Sequence, residues 1–158
     1  WYVVTLFQGA FTYLAVYKAI TVDFQMSQLT NFQILLPAFI CTSNLLAIYP
    51  LTQVYQHEED ARRGDMTMSR LLGIRGTFLN AVFWLGLSGV VFLVHFGVTT
   101  EFLVLIALLS PLLGFFAWWM WQVWKDESKA YFKNTMWLYL LAGICLNLFF
   151  GLLCFLKH

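Results

Sequence analysis

Five apolar stretches alternate with polar ones along this chain. They lie at about 1–20, 31–55, 76–96, 101–124 and 135–156. A helix needs about 20 apolar residues to cross a ~30 Å hydrocarbon core, and each stretch has that length. The pattern predicts five transmembrane helices in one all-α polytopic bundle. Lys18 stands near the end of the first and can snorkel to the interface. The link 21–30 is polar, with Asp23 and several Gln and Ser residues, and Gly97–Thr100 reads as a tight turn. Pro37 and Pro50 fall in the second span and Pro111 in the fourth. Proline has no N–H to give, so Pro50 is expected to kink its helix and free a carbonyl near the polar segment that follows. Trp118, Trp119, Trp121 and Trp124 close the fourth span as an aromatic belt at the headgroup level. Gly143, Asn147 and Gly151 recur every four residues in the fifth, as expected of a close helix–helix seam with one polar group.

Composition agrees with the pattern. The 158 residues are 61% hydrophobic and 11% charged, with a mean hydropathy of +0.73. A soluble domain carries about 25% charged residues, so the chain reads as an integral membrane protein. A net charge of +1 offers nothing to a nucleic acid. Cys41, Cys145 and Cys154 sit inside apolar runs without paired spacing and read as small buried hydrophobes. The chain opens on Trp1 with no basic leader and no small-residue cleavage site, so a signal peptide is not expected, and the sequence reads as a fragment continuing from upstream. There is no internal repeat and no low-complexity linker.

The charge is concentrated between the second and third spans. Glu58, Glu59, Asp60, Arg62, Arg63, Asp65, Arg70 and Arg75 all lie in the loop 56–75, eight of the chain's seventeen Asp, Glu, Lys and Arg residues. Charge beside hydrocarbon is expensive and marks a functional site by default. With five spans, this loop and the one holding Lys125, Lys129 and Lys133 share a side, against Lys18 and Lys157 on the other. That excess of cations places the loop in the cytoplasm. If the second span continues as a helix at 100° per residue, Thr42, Tyr49, Thr52, Gln53, Gln56 and Asp60 form one polar stripe that leads to the loop.

Acidic and basic residues this close suit one ligand class. Carboxylates hold magnesium, which takes further oxygens from substrate phosphates. Arginines clamp the phosphate oxygens left over. Gly64 and Gly73 let the backbone turn tightly beside a ligand. Beneath a greasy cavity, such a site fits a lipid diphosphate, and Tyr49, Tyr55, Phe78 and Trp84 could face a developing allylic cation there. The plain alternatives are a solvated connector laced by its own salt bridges and aromatics that only pack. A lone His57 at an interface reads as solvated.

The stretch Gln56-His57-Glu58-Glu59-Asp60-Ala61-Arg62-Arg63-Gly64-Asp65-Met66-Thr67, with Leu72-Gly73 after it, resembles the second aspartate-rich motif of the UbiA superfamily of intramembrane prenyltransferases. That motif runs DxxxDxxxG, then a Ser or Thr, then Leu-Gly. Asp60 matches its second aspartate, Gly64 its glycine, Thr67 its hydroxyl residue and Gly73 its last glycine. The menaquinone-type and archaeal-lipid-type branch, with its EEDxxxGxxT form, is the nearest in flavour. Gln56 stands where the family has its first aspartate, a departure that leaves one metal ligand replaced. The resemblance implies a nine-helix fold of which this chain supplies helices five to nine. The family's other motif, of the NDxxD type, is not in this chain and is expected upstream.

What the resemblance implies is Mg2+-dependent transfer of a polyprenyl group from its diphosphate to a lipophilic acceptor, either an aromatic ring or a glycerol phosphate. Asp60 is then a metal ligand, with Glu59 or Glu58 as a substitute second carboxylate, although neither sits four residues before Asp60, and Gln56 beside the metal. Arg62, Arg63 and Arg75 contact the diphosphate, and Tyr49, Gln53 and Tyr55 border the pocket. The competing reading is a degenerate homologue or transporter-like protein that binds lipid diphosphate without turning it over, and Gln56 speaks for it. A CDP-alcohol phosphotransferase is disfavoured: Asp60-Ala61-Arg62 echoes its motif without the two aspartates that should follow.

Overall fold

A computed structural model describes residues 2–156; Trp1, Lys157 and His158 lie outside it, including the Lys157 of the charge count. The chain is all-α, 88% helical, with no strand among the described residues. Seven α-helices follow in order among those residues: α1 (Tyr2–Leu6), α2 (Thr12–Ile20), α3 (Phe32–Leu51), α4 (His57–Arg63), α5 (Met68–Phe96), α6 (Thr100–Lys125) and α7 (Phe132–Leu156). A π-helical turn, Phe7–Phe11, joins α1 to α2. Five helical runs are long and apolar enough to cross a membrane, as the pattern predicts. They form two compact units, 1–50 with 79–97, and 51–78 with 98–158.

The first unit is built on α3. Half of that span's window is buried, against 11–22% for the other four. A helix apolar all round belongs in an interior, and Ile34, Ala38, Ile40, Leu46 and Ala47 are all covered. The π-turn meets α3 at Gly9, where an added Cβ would stand 2.7 Å from the Cα of Thr42. Only glycine admits that approach. A π-turn leaves an N–H out of register. Here Ala10 N–H donates to Thr42 Oγ1 at 2.9 Å, and Thr42 in turn donates to Ala38 O at 3.3 Å.

Pro50 acts as its chemistry dictates, but the stripe expected beyond it does not form. α3 stops at Leu51, Thr52 and Gln53 turn, and Val54–Gln56 is a 3-10 segment. Helical phase is lost there, so the regular 100° register assumed past Pro50 does not hold over 52–56. The carbonyl that Pro50 leaves without its i+4 donor is that of Leu46, and Asn80 Nδ2 donates to it at 2.9 Å. Pro111 repeats the device in α6, where Ser110 Oγ donates to Ala107 O at 2.8 Å and the helix runs on unbroken.

In the second unit α6 packs on α7. Phe116, Trp119 and Val123 of α6 and Leu138, Ala142, Cys145 and Phe149 of α7 are buried at helical spacing. Phe78 from α5 stacks on Phe116, centroids 5.9 Å apart, and meets the edge of Trp119 at 4.8 Å. Trp119 therefore departs from the expected belt. It is fully buried, its indole N–H donating to Lys129 O at 2.9 Å, whereas Trp118, Trp121 and Trp124 are exposed. Asp126 caps the 3-10 turn Glu127–Lys129, and the Ser128 hydroxyl, then its N–H, hold the Asp126 carboxyl below its usual range. The expected Gly143–Asn147–Gly151 seam is exposed, with nothing near an added Cβ at either glycine. Asn147 donates instead to Gly143 O of its own helix at 2.7 Å. Of the cysteines, Cys145 is buried, Cys41 half-buried and Cys154 exposed, so the expected burial holds fully for one.

The proline device makes a prediction. Asn80→Leu leaves the Leu46 carbonyl unpaired in an apolar setting and should lower stability by about 1–3 kcal/mol in detergent unfolding. In a Pro50→Ala background an alanine N–H returns to that carbonyl, and the loss should shrink. Equal losses in both backgrounds would disprove the pairing.

Candidate functional site

The segment expected as a loop at 56–75 is largely helical, and the reason is electrostatic. α4 opens with Glu58, Glu59 and Asp60 and closes with Arg62 and Arg63. Acids at a helix N-terminus and bases at its C-terminus both favour the macrodipole. Two i,i+4 pairs add to this: Arg62 with Glu58 at 3.5 Å, and Arg63 with Glu59. Gly64, at φ 77° and ψ 10°, ends the helix in the left-handed region. Gly64 N–H donates to Ala61 O at 3.3 Å and Asp65 N–H to Asp60 O at 2.9 Å. This is a Schellman turn.

Asp60 is the one charged residue that α4 buries, at 9% exposure; its charged neighbours face outward. Thr67 Oγ1 donates to Asp60 Oδ2 at 3.1 Å. Thr67 also caps α5, its hydroxyl accepting Arg70 N–H at 3.4 Å. Arg70 Nη1 donates to Asp60 O at 3.2 Å and to Asp65 O. Carboxylate, turn and next helix are thus tied in one network.

A second network centres on Ser69, which is fully buried. Its N–H, orphaned at the start of α5, donates to Gln53 Oε1 at 3.4 Å. Its hydroxyl lies 2.6 Å from His57 Nε2 and 3.1 Å from Thr77 Oγ1. Thr77 also donates to Gly73 O at 2.8 Å. Gly73 breaks α5 at φ 70° and ψ 170°, a conformation open almost solely to glycine. The residues on its two sides, Ser69 and Thr77, are bonded across the break.

Other candidate residues have other partners. Gln56 Nε2 donates to Tyr55 OH at 3.1 Å, and the Tyr55 ring meets the edge of Phe132 at 5.1 Å. Arg75 Nε pairs with Glu127 at 3.0 Å and its guanidinium lies 5.9 Å from the Trp124 ring centre. Glu59 is on the exposed face of α4 with Arg63, while Asp60 is on the buried face with Thr67. Tyr49 lies on α3 in the first unit, half-buried. Phe78 packs in the second unit's core, and Trp84 lies edge-on to Phe83 in the first. His57, read as solvated, is half-buried against Ser69. Sequence reasoning missed Ser69, Arg70 and Thr77 as organisers. The signal available for them was the Thr67-x-x-Arg70 spacing of a helix start and the polar i,i+8 pair Ser69 and Thr77.

Among the described residues no three of His, Cys, Asp and Glu gather to hold a metal. A magnesium ion needs only one or two protein carboxylates when phosphates complete its shell. Asp60 fits as one: Thr67 takes Oδ2, leaving Oδ1 for a cation. Comparison of the chain with protein-family models, curated proteins and solved structures returned no match.

The two left-handed glycines should respond differently to asparagine. At Gly64 the αL cap tolerates it, so Gly64→Asn should cost less than about 1 kcal/mol. Gly73→Asn forces a glycine-only conformation and should cost about 1–3 kcal/mol. Unfolding of the two variants side by side checks this; equal losses would contradict it.

Proposed function

We propose that the chain belongs to an integral membrane prenyltransferase of the UbiA type, transferring a polyprenyl group from its diphosphate to an aromatic or glycerol-phosphate-type acceptor with magnesium. The observation that carries this reading is the arrangement around Asp60. Each of the four motif positions has a local role. Asp60 turns a carboxylate inward, Gly64 supplies the left-handed cap, Thr67 returns a hydroxyl to Asp60, and Gly73 breaks the helix. A Schellman turn followed at once by a helix cap brings a hydroxyl back onto the carboxylate. The spacing from aspartate to glycine to threonine thus has a physical meaning in this chain.

In this reading Asp60 would hold a magnesium ion together with phosphate oxygens, and the ion would supply positive charge against the leaving diphosphate. Arg62 and Arg63 are largely exposed, and exposed ion pairs are worth about 0–1 kcal/mol. Exchanging a glutamate for a diphosphate therefore costs them little and gains charge-assisted bonds. Arg75, half-exposed beside Glu127, is the third such cation. Gln53 and Tyr55, in the same unit as Asp60, border the pocket on the strength of the motif. The cation count puts the motif on the cytoplasmic side.

A second reading is favoured by Gln56. Its amide donates to the Tyr55 hydroxyl, and no carboxylate stands at that position. A homologue that binds lipid diphosphate without turnover would look the same.

The test is prenyl transfer by the full protein in membranes, with magnesium and a panel of prenyl diphosphates. Asp60→Asn should abolish magnesium-dependent turnover while insertion is unchanged; retained activity would remove the metal assignment. Gln56→Asp should preserve or raise turnover. Magnesium-dependent binding of prenyl diphosphate without turnover in the wild type decides for the second reading.

A further inference from the structure

We infer that Arg70 is a positioning residue for Asp60, setting where the carboxylate stands and so how tightly the site holds magnesium. The inference rests on the proposed diphosphate site and extends it to a residue outside the motif positions.

The turn after α4 contains a conflict. In a Schellman turn the residue three before the cap and the second residue after it usually touch through apolar side chains. Here those positions are Asp60 and Asp65, two acids. Asp65 stands just beyond the C-terminal end of α4, where the macrodipole is negative and disfavours an anion, and its partner position in the turn carries the like charge of Asp60. α4 has seven residues, too few to persist alone. Left to itself, this turn would splay and take Asp60 with it.

Arg70 resolves the conflict from the next helix. Its guanidinium donates to the carbonyls of Asp60 and Asp65, the two ends of the turn. A cation at a helix C-terminus, bonded to its last carbonyls, is the complement the dipole asks for. The backbone N–H of residue 70, which Arg70→Gln and Arg70→Lys both keep, donates to Thr67 Oγ1, the hydroxyl that donates to Asp60 Oδ2. The Arg70 side chain itself acts on the backbone of Asp60 and Asp65, and so on where the carboxylate starts from. Both bonds leave one nitrogen, Nη1, so its position matters, and a lysine ammonium, on a stem one atom shorter, stands short of that point.

The experiment uses the full protein in detergent, with inorganic diphosphate as the probe and magnesium titrated by calorimetry. Outer partners of a metal ligand typically contribute 10–100-fold to affinity, so Arg70→Gln should raise the half-saturating magnesium concentration about tenfold or more. Affinity for diphosphate at saturating magnesium should move less than about threefold, because the Arg70 guanidinium is engaged by the Asp60 and Asp65 carbonyls. Arg70→Lys should fall between. Amide exchange at Gly64 and Asp65 should quicken in Arg70→Gln while the melting temperature of the whole protein holds, which separates a loosened turn from a lost fold. If Arg70→Gln does not fold, the Arg70→Lys titration decides alone, and wild-type magnesium affinity in it overturns the inference. Wild-type magnesium affinity in a folded Arg70→Gln likewise overturns it while leaving the proposed function standing. Failure of the wild type itself to bind magnesium and diphosphate removes the proposed function and this inference together.

Discussion

In hydrocarbon a backbone N–H or C=O has no water to turn to, and each must find a partner in the protein. That constraint explains the irregular features of this chain one by one. Pro50 and Pro111 each cancel a helical bond, and Asn80 and Ser110 each supply a donor to the carbonyl left over. The π-turn at Phe7–Phe11 passes an N–H to Thr42. Gly73 interrupts α5, and Thr77 donates to its carbonyl. Asn80, Ser110, Thr42 and Thr77 thus serve neighbouring backbone, and any further role of theirs begins from that.

The charged segment follows a different logic, because water reaches its outer face. α4 places two ion pairs on that face and a single carboxylate beneath. The pairs hold the helix without consuming Asp60. Ser69 and Arg70, adjacent in sequence, divide the labour: Ser69 ties the segment to Gln53, His57 and Thr77, while Arg70 ties the turn to itself. A short helix of modest intrinsic stability is thereby fixed at both ends.

Much of the charged segment was legible in its residues. Acids before bases, then Gly64, is a complete helix signature, and Thr67 three residues before Arg70 is the start of another. The density of charge between two apolar spans masks these signals and gives the segment the look of a loop. The polar stripe failed for a related reason: it assumed helical phase past Pro50, where the missing N–H had already ended α3. The Gly143–Asn147–Gly151 spacing described a face correctly, but the partner that α7 uses lies on another face, at Leu138, Ala142, Cys145 and Phe149.

The sequence by itself determined the five apolar spans, the all-α class, the position of the charge and the glycines that end or break its helices. Those follow from local rules: apolar length, missing N–H groups and left-handed backbone. Only the tertiary structure decided which polar group serves which. Trp119 and Trp118 are neighbours of one type, yet one is buried on Lys129 O and the other exposed. Glu59 and Asp60 are adjacent acids, yet one faces Arg63 and the other Thr67. Such choices depend on what each face meets, and on contacts between residues distant in sequence, which no local pattern encodes.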